Sequence, residues 1–225
     1  MFSIIVPVYN EENTIKVVLE TLLRLAVEKE IIVINDGSTD NTQKSIADLR
    51  INSHKIKCIN LKENIGKGNA IQEGIKAATG DIIAIQDADL EYNPQELVGL
   101  IDILKNSNAT VVYGIRFSAD FKTPIWHRLG NKFLSFCTSV LYLKWISDME
   151  TCYKVMYKKN WKSLELKSKR FEIEAEITAK VIRNKFRIIQ QPISYTFRSF
   201  REGKKISYKD GIKAFTTLFK YRFLY

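Results

Sequence analysis

The chain has only three cysteines, Cys58, Cys137 and Cys152, far apart and odd in number. That excludes a disulfide framework and a cysteine-built zinc site, and it points to a reducing compartment. Long apolar runs are also lacking. No window of about 18 apolar residues exists, so no segment reads as a membrane-spanning helix. The nearest, Phe133 to Ile146, is short and contains Lys144. No basic stretch precedes the apolar run that starts at Ser3-Ile4-Ile5-Val6, so a secretory signal is not expected. There is no internal repeat, no low-complexity segment, and neither a G-x-x-x-x-G-K-[ST] loop nor a G-x-G-x-x-G loop. Two familiar glycine signatures for gripping a nucleotide are thereby excluded. No nucleic-acid recognition motif is present either, and nucleic acid is not an expected partner.

The chain has 225 residues, 45% of them hydrophobic, enough for one substantial core. Its net charge of +10 is unevenly spread. Residues 1–153 carry 16 Lys and Arg against 19 Asp and Glu, whereas residues 154–225 carry 19 against 6. A basic final third on a near-neutral body implies an anionic partner for that third, and charge alone does not separate a membrane surface from a nucleic acid.

The pattern alternates short apolar strands with helices. Strands are expected at Phe2 to Val8, Glu30 to Asn35, Lys55 to Leu61, Asp81 to Gln86 and Ala109 to Tyr113. Helices are expected between them, over Glu11 to Val27, from about Asp40 to Leu49, from Gly66 to Ala78 and from Pro94 to Leu104. This describes an α/β unit with a mostly parallel sheet and helices on both faces. After Tyr113 the rhythm changes. Trp126 to Ile146 reads as one long helix whose aromatic side chains, Phe133, Phe136, Tyr142 and Trp145, are expected mostly in the core, with part available to a greasy acceptor groove. A strand over Cys152 to Met156, a helix over Phe171 to Arg183, a strand over Phe186 to Ser194, a basic loop and a terminal helix from Tyr208 complete the chain. One domain over 1–225 is expected, with a nucleotide and metal half over 1–115 and an acceptor half over 116–225.

Everything is organised around Gly80 to Pro94. An apolar strand there runs directly into Asp87-Ala88-Asp89-Leu90-Glu91. Like charges at the mouth of a buried strand are unfavourable unless a cation sits among them. Asp87 and Asp89 supply hard oxygen ligands, with Glu91 a third candidate. A magnesium-like ion usually takes one or two protein carboxylates and fills its shell with water and substrate phosphates. Three further loops leave strands at the same sheet edge, where open α/β sheets bind ligands. Pro7-Val8-Tyr9-Asn10-Glu11 can offer amides and an aromatic face. Asp36 can accept hydrogen bonds from a base or ribose, or cap a helix. Lys67, between Gly66 and Gly68, can offset phosphate charge, or lie on the surface as an ordinary lysine.

Ser3 to Glu11, Asn35-Asp36-Gly37-Ser38-Thr39-Asp40 and Asp87-Ala88-Asp89 together resemble the family 2 glycosyltransferases of the GT-A fold. Ser147 to Lys154, Phe171 to Glu176, Pro192-Ile193-Ser194-Tyr195 and Arg201 to Ile206 are similar to the dolichol-phosphate mannosyltransferase branch, which includes other polyprenyl-phosphate glycosyltransferases. The resemblance implies nucleoside contacts at Pro7, Tyr9, Glu11 and Asp36. It implies metal ligands at Asp87 and Asp89, with Glu91 where several relatives have glutamine. Arg116, Arg198 and Lys204 match phosphate-contacting positions, for which the planar guanidinium fork is well suited. Many relatives continue into transmembrane helices, whereas this chain stops at Tyr225, so it is expected to be cytoplasmic, soluble or peripheral on a membrane's cytoplasmic face.

The implied reaction moves a hexose, with inversion, from a GDP- or UDP-sugar to an acceptor, with Mg2+ or Mn2+ and nearby cations stabilising the leaving diphosphate. A polyprenyl phosphate is already largely a dianion near pH 7 and needs cations rather than a base. A saccharide hydroxyl needs a base, for which Asp148, Glu172 and Glu174 are candidates. The lopsided charge favours the lipid phosphate. The basic loop (Arg198, Arg201, Lys204, Lys205) and the lysines and aromatics from Lys209 to Leu224 are expected either to meet an anionic membrane surface or to pack as an ordinary terminal helix. Asp89, Asp148 and Arg116 are the expected catalytic residues. A non-catalytic nucleotide-sugar binder is the remaining alternative.

Overall fold

The computed structural model describes residues 1–51, 53–116, 123–199, 203, 205 and 207–224. Its framework is a seven-stranded sheet. β1 (Phe2–Val8), β2 (Lys29–Asn35), β3 (Ile56–Asn60) and β4 (Ile82–Ile85) alternate with α1 (Ile15–Arg24), α2 (Thr42–Ile51) and α3 (Lys67–Ala77). β1 is buried at every position, and in β2 only Glu30 is less than buried. Continuous burial is what a parallel strand covered on both faces requires, and it explains the unbroken Ile and Val runs. The chain continues through α4 (Glu96–Asn106), β5 (Val111–Arg116), α5 (Ile125–Tyr142), β6 (Lys154–Tyr157), α6 (Lys158–Ser163), α7 (Ile173–Arg183), β7 (Ile188–Ile193) and α8 (Tyr208–Phe223).

The strand order is β3-β2-β1-β4-β6-β5-β7. β1 pairs in parallel with both β2 and β4, so the winding direction reverses between β1 and β4. The loops after these two strands diverge there and leave a crevice. β6 is the one reversed strand, antiparallel to β4 and to β5. Its first residues therefore lie at the edge where the parallel strands end. β7 runs parallel to β5, with Ile193 opposite Arg116, and delivers the chain after it to that same edge.

Several boundaries differ from the sequence reading. The first helix begins only at Ile15, because Asn10 takes a positive φ and Glu11 to Thr14 form a turn closed by Thr14 N–H donating to the Glu11 carbonyl. Asp40 accepts from Thr42 N–H at the start of α2, as expected of a cap. α5 stops at Tyr142, not Ile146, where Leu143 adopts a left-handed conformation. The short helix α6 was not expected; Trp161 pins it to the sheet by donating to the Ile83 carbonyl at 3.1 Å. The largest correction concerns the aromatic side chains of the long helix. Phe133, Phe136 and Trp145 are 60%, 61% and 72% exposed, and only Tyr142 is buried. Core packing was the wrong expectation for the other three. A second, smaller cluster of Leu134, Tyr142, Met149, Ala175, Ala214 and Leu218 joins α5, α7 and α8 beside the main core.

Candidate functional site

A cavity of about 530 Å³ opens over the β1/β4 crevice. That is the size of an ordinary small-ligand site. Pro7, Tyr9, Glu11, Asp36, Lys67, Asp87, Asp89, Glu91, Arg116 and Arg198 all line it. Ten residues expected from the sequence are thus brought together from six strand exits. Asp148 supports the site through Arg116, and Lys204 and Arg201 lie outside the described residues.

The floor is acidic. Burial, and the charges of Asp87 and Glu91 next to it, push the Asp89 carboxyl up to about 7. Asp87 is countered by Lys67, whose ammonium lies 2.8 Å from Oδ1 and 3.0 Å from Oδ2. Burial would pull that lysine down, but Asp87 and Glu174 hold it well above its usual value. Lys67 is therefore neither a surface lysine nor a free phosphate contact; it neutralises the first aspartate. Gly66 makes this placement possible. It takes φ 125°, open only to glycine, and its N–H and that of Ile65 donate to the two Asp36 oxygens at 2.8 and 3.0 Å. Asp36 lines the cavity while bracing this turn, and it does not cap α2.

Glu91 departs from its expected role. Its Oε1 accepts from Arg198 N–H at 2.9 Å, and its side chain also bonds Tyr195. Among the described residues, no three acidic, histidine or cysteine side chains are grouped so as to hold a metal ion. The donor set instead suits an ion that takes one or two carboxylates: Asp89, whose charge is poorly compensated, with Asp87 beside it.

The walls carry paired cations. Arg116 grips Asp148 with two guanidinium bonds, Nε to Oδ2 at 2.7 Å and Nη2 to Oδ1 at 2.6 Å, and its own N–H adds a third. Burial would raise the Asp148 carboxyl, but the Arg116 charge and hydrogen bonds outweigh it and hold the group below the usual carboxylate range. Arg116 also stacks over Tyr195, 5.2 Å from the ring centre. Glu11 anchors the basic loop: Arg198 Nη1 reaches both its oxygens, at 2.9 and 2.7 Å, and Lys205 Nζ reaches Oε1 at 2.7 Å. Lys205 also donates to the Tyr9 carbonyl. Glu174 is no surface acid. It is buried and paired with Lys154, and its Oε1 lies 3.2 Å from Lys67.

Glu150 belongs to the site without being among the residues expected from the sequence. This residue lines the cavity, and its Oε1 is buried with no hydrogen-bond partner among the described residues. Burial and the Glu174 charge push its carboxyl up to about 7, against the opposing pull of Lys154 and Arg116 and with Asp148 adding a smaller push. Only its adjacency to Asp148 was available as a signal. Its raised folded value means that native protein holds a proton which unfolded protein releases from about pH 4.3 upward. The stability it contributes is complete at low pH and lost as pH rises through about 7. Glu150→Gln is expected to gain on the order of 2 kcal/mol over the parent near pH ~8 and little near pH ~5, read by urea midpoints at both values.

A model for Glycosyl transferase family 2 matches residues 3–163. The chain belongs to glycosyltransferase family 2. It is 29% identical over 238 residues to the UDP-N-acetylglucosamine–dolichyl-phosphate N-acetylglucosaminyltransferase of Methanococcus voltae, covering 97% of this chain and 94% of that one. It is 40% identical over 114 residues to the poly-beta-1,6-N-acetyl-D-glucosamine synthase of Staphylococcus epidermidis, and there spans only 27% of that relative's length. In fold it is similar to glucosyl-3-phosphoglycerate synthase from Mycobacterium tuberculosis, solved with Mn2+, UDP and glucosyl-3-phosphoglycerate. The TM-score is 0.73 at 18% identity, covering 98% of this chain and 79% of that one. The glycosyltransferase thus has the GT-A fold.

Proposed function

We propose that this family 2 glycosyltransferase transfers a hexose, with inversion, from a nucleoside-diphosphate sugar to a polyprenyl phosphate. The observation that carries the reading is one cavity with an under-compensated Asp89 on its floor and Arg116, Arg198 and Lys205 on its walls. Asp89, with Asp87, would hold Mg2+ or Mn2+, which when bound supplies charge stabilisation to the departing diphosphate. Tyr9 and Asp36 line the end suited to the nucleoside. Lys67 keeps Asp87 from repelling the phosphates, and Arg116 presents a guanidinium whose orientation Asp148 fixes.

The acceptor follows from where the acids are spent. Asp148 gives both oxygens to Arg116, and Glu174 is held by Lys154 and Lys67, so neither is poised as a base; Glu172 accepts from Arg170 N–H and does not line the cavity. A phosphate dianion attacks without one and instead needs cations. The dolichyl-phosphate N-acetylglucosaminyltransferase of Methanococcus voltae, matched along nearly its whole length, supports the same acceptor class. A saccharide hydroxyl is the second reading. Glu150 favours it, because an unpartnered carboxyl near neutrality is tuned for proton transfer.

A donor screen with Mn2+ or Mg2+, against a short polyprenyl phosphate and a panel of saccharides, separates the two. Product on the phosphate, retained in Glu150→Gln, is the expected result. Product on saccharides alone, lost in Glu150→Gln, would establish the second reading.

A further inference from the structure

α5 is amphipathic in reverse. Toward the protein it buries Leu134, Ser135, Thr138 and Tyr142, and its two small hydroxyl side chains there are tied up internally with the Leu134 carbonyl and Met149 N–H. Toward the outside it shows Trp126, Leu129, Phe133, Phe136 and Val140, alternating steps of three and four that keep to one helix face. Trp126 is 79% exposed. Leu143 and Trp145, also exposed, follow the helix end. α8 repeats the arrangement. It buries Ala214, Leu218 and Tyr221 and exposes Ile212, Phe215, Phe219 and Phe223. The helices are held to each other by the Tyr142 hydroxyl donating to the Leu218 carbonyl at 2.7 Å, and among the described residues nothing covers either stripe. Single exposed apolar residues are ordinary, but two stripes at helical spacing on packed helices are not.

The charge beside them says what covers them. Arg128, Lys132 and Lys144 accompany the first stripe, and Lys209, Lys213, Lys220 and Arg222 the second. α5 has no acidic residue, and the one acid of α8, Asp210, is locked in a capping box with Ser207. A second copy of this chain would set like charges face to face. An anionic headgroup layer over an apolar interior matches both features.

We propose that α5 and α8 dock together on an anionic lipid bilayer, lying in the interface with their aromatic stripes inserted and their lysines and arginines among the headgroups. This deepens the lipid-phosphate reading and rests on it for its purpose, since α5 also contributes His127 and Asn131 to the cavity wall. Docking brings the helix that lines the site to the layer where a lipid phosphate lies.

Flotation of the full chain with vesicles of phosphatidylcholine plus phosphatidylglycerol is expected to carry it upward, with loss at high salt and on phosphatidylcholine alone. Phe133→Ser combined with Phe136→Ser is expected to cut partitioning about tenfold or more, with melting and transfer to a short water-soluble polyprenyl phosphate at parental levels. If that variant melts early, Lys213→Glu with Lys220→Glu reads the same surface through its charge. Absent flotation, equal flotation on neutral vesicles, or undiminished flotation of the variants would overturn docking. So would a dimer-to-monomer change in light scattering with vesicle binding intact, which would assign the stripes to a contact between copies. Vesicle binding without transfer to the prenyl phosphate would instead unseat the acceptor reading and leave docking in place.

Discussion

Asp89→Asn is expected to lower kcat/KM for sugar transfer by about 10³-fold at saturating Mn2+, with no loss of thermal stability. The two halves of this result come from one electrostatic fact. Asp89 is buried between Asp87 and Glu91, and burial together with their repulsion drives its carboxyl up to about 7. Lys67 already offsets Asp87, and a bound cation would relieve Asp89. Asparagine keeps the shape and the Glu91 N–H bond to Oδ1, formed at 3.1 Å, but removes the negative oxygen the ion needs. Relief of repulsion without the ion should hold or raise the melting temperature. Steady-state kinetics beside a thermal melt checks both, and parental activity in the variant would contradict the metal assignment. An ordinary structural aspartate would show the opposite pattern, with stability lost and chemistry kept.

Arg116→Met is expected to destabilise the protein by about 3–5 kcal/mol, because it leaves Asp148 buried without its partner. The two side chains are only 13% and 10% exposed, so water cannot make good the loss. Arg116→Met with Asp148→Leu should recover much of the stability, since two apolar groups can replace a buried pair, while transfer stays impaired for want of the guanidinium. Urea unfolding of the single and double variants, read beside kcat/KM, separates scaffold from chemistry. The pair also sets an acid limb. The Asp148 carboxyl is depressed in the fold, so its contribution is full above the unfolded value near ~4 and is lost as pH falls through the lower folded value. The parent should show this loss, and the double variant should not. Recovery of activity in the double variant would remove Arg116 from the site.

The parallel half of this fold is legible in the chain because burial on both faces leaves an unbroken record. Ile4, Ile5 and Val6, then Ile31 to Ile34, then Ile82 and Ile83 admit no polar interruption, and Asp87-Ala88-Asp89 stands where the last of them stops. The later half is less legible. A four-residue strand such as β6 carries little pattern, and nothing local announces that it runs backwards between β4 and β5. That reversal brings Asp148 to Arg116 and Glu150 to the cavity. α5 misled for a related reason: its aromatic periodicity is that of a helix with one apolar face, and periodicity does not say whether that face turns inward.

By itself, then, the sequence determined the strand-and-helix rhythm, the edge of the sheet that bears the chemistry, the aspartates of its floor and the basic character of its final third. Each is a property of residues close together in the chain. Only the tertiary structure decided which charges are spent on one another: Lys67 on Asp87, Arg116 on Asp148, Arg198 and Lys205 on Glu11, Lys154 on Glu174. The partners in these pairs come from different elements, and the strength of an ionic interaction depends on separation and burial in space. That is why Glu150, whose buried Oε1 has no hydrogen-bond partner among the described residues, emerged only once the chain was folded.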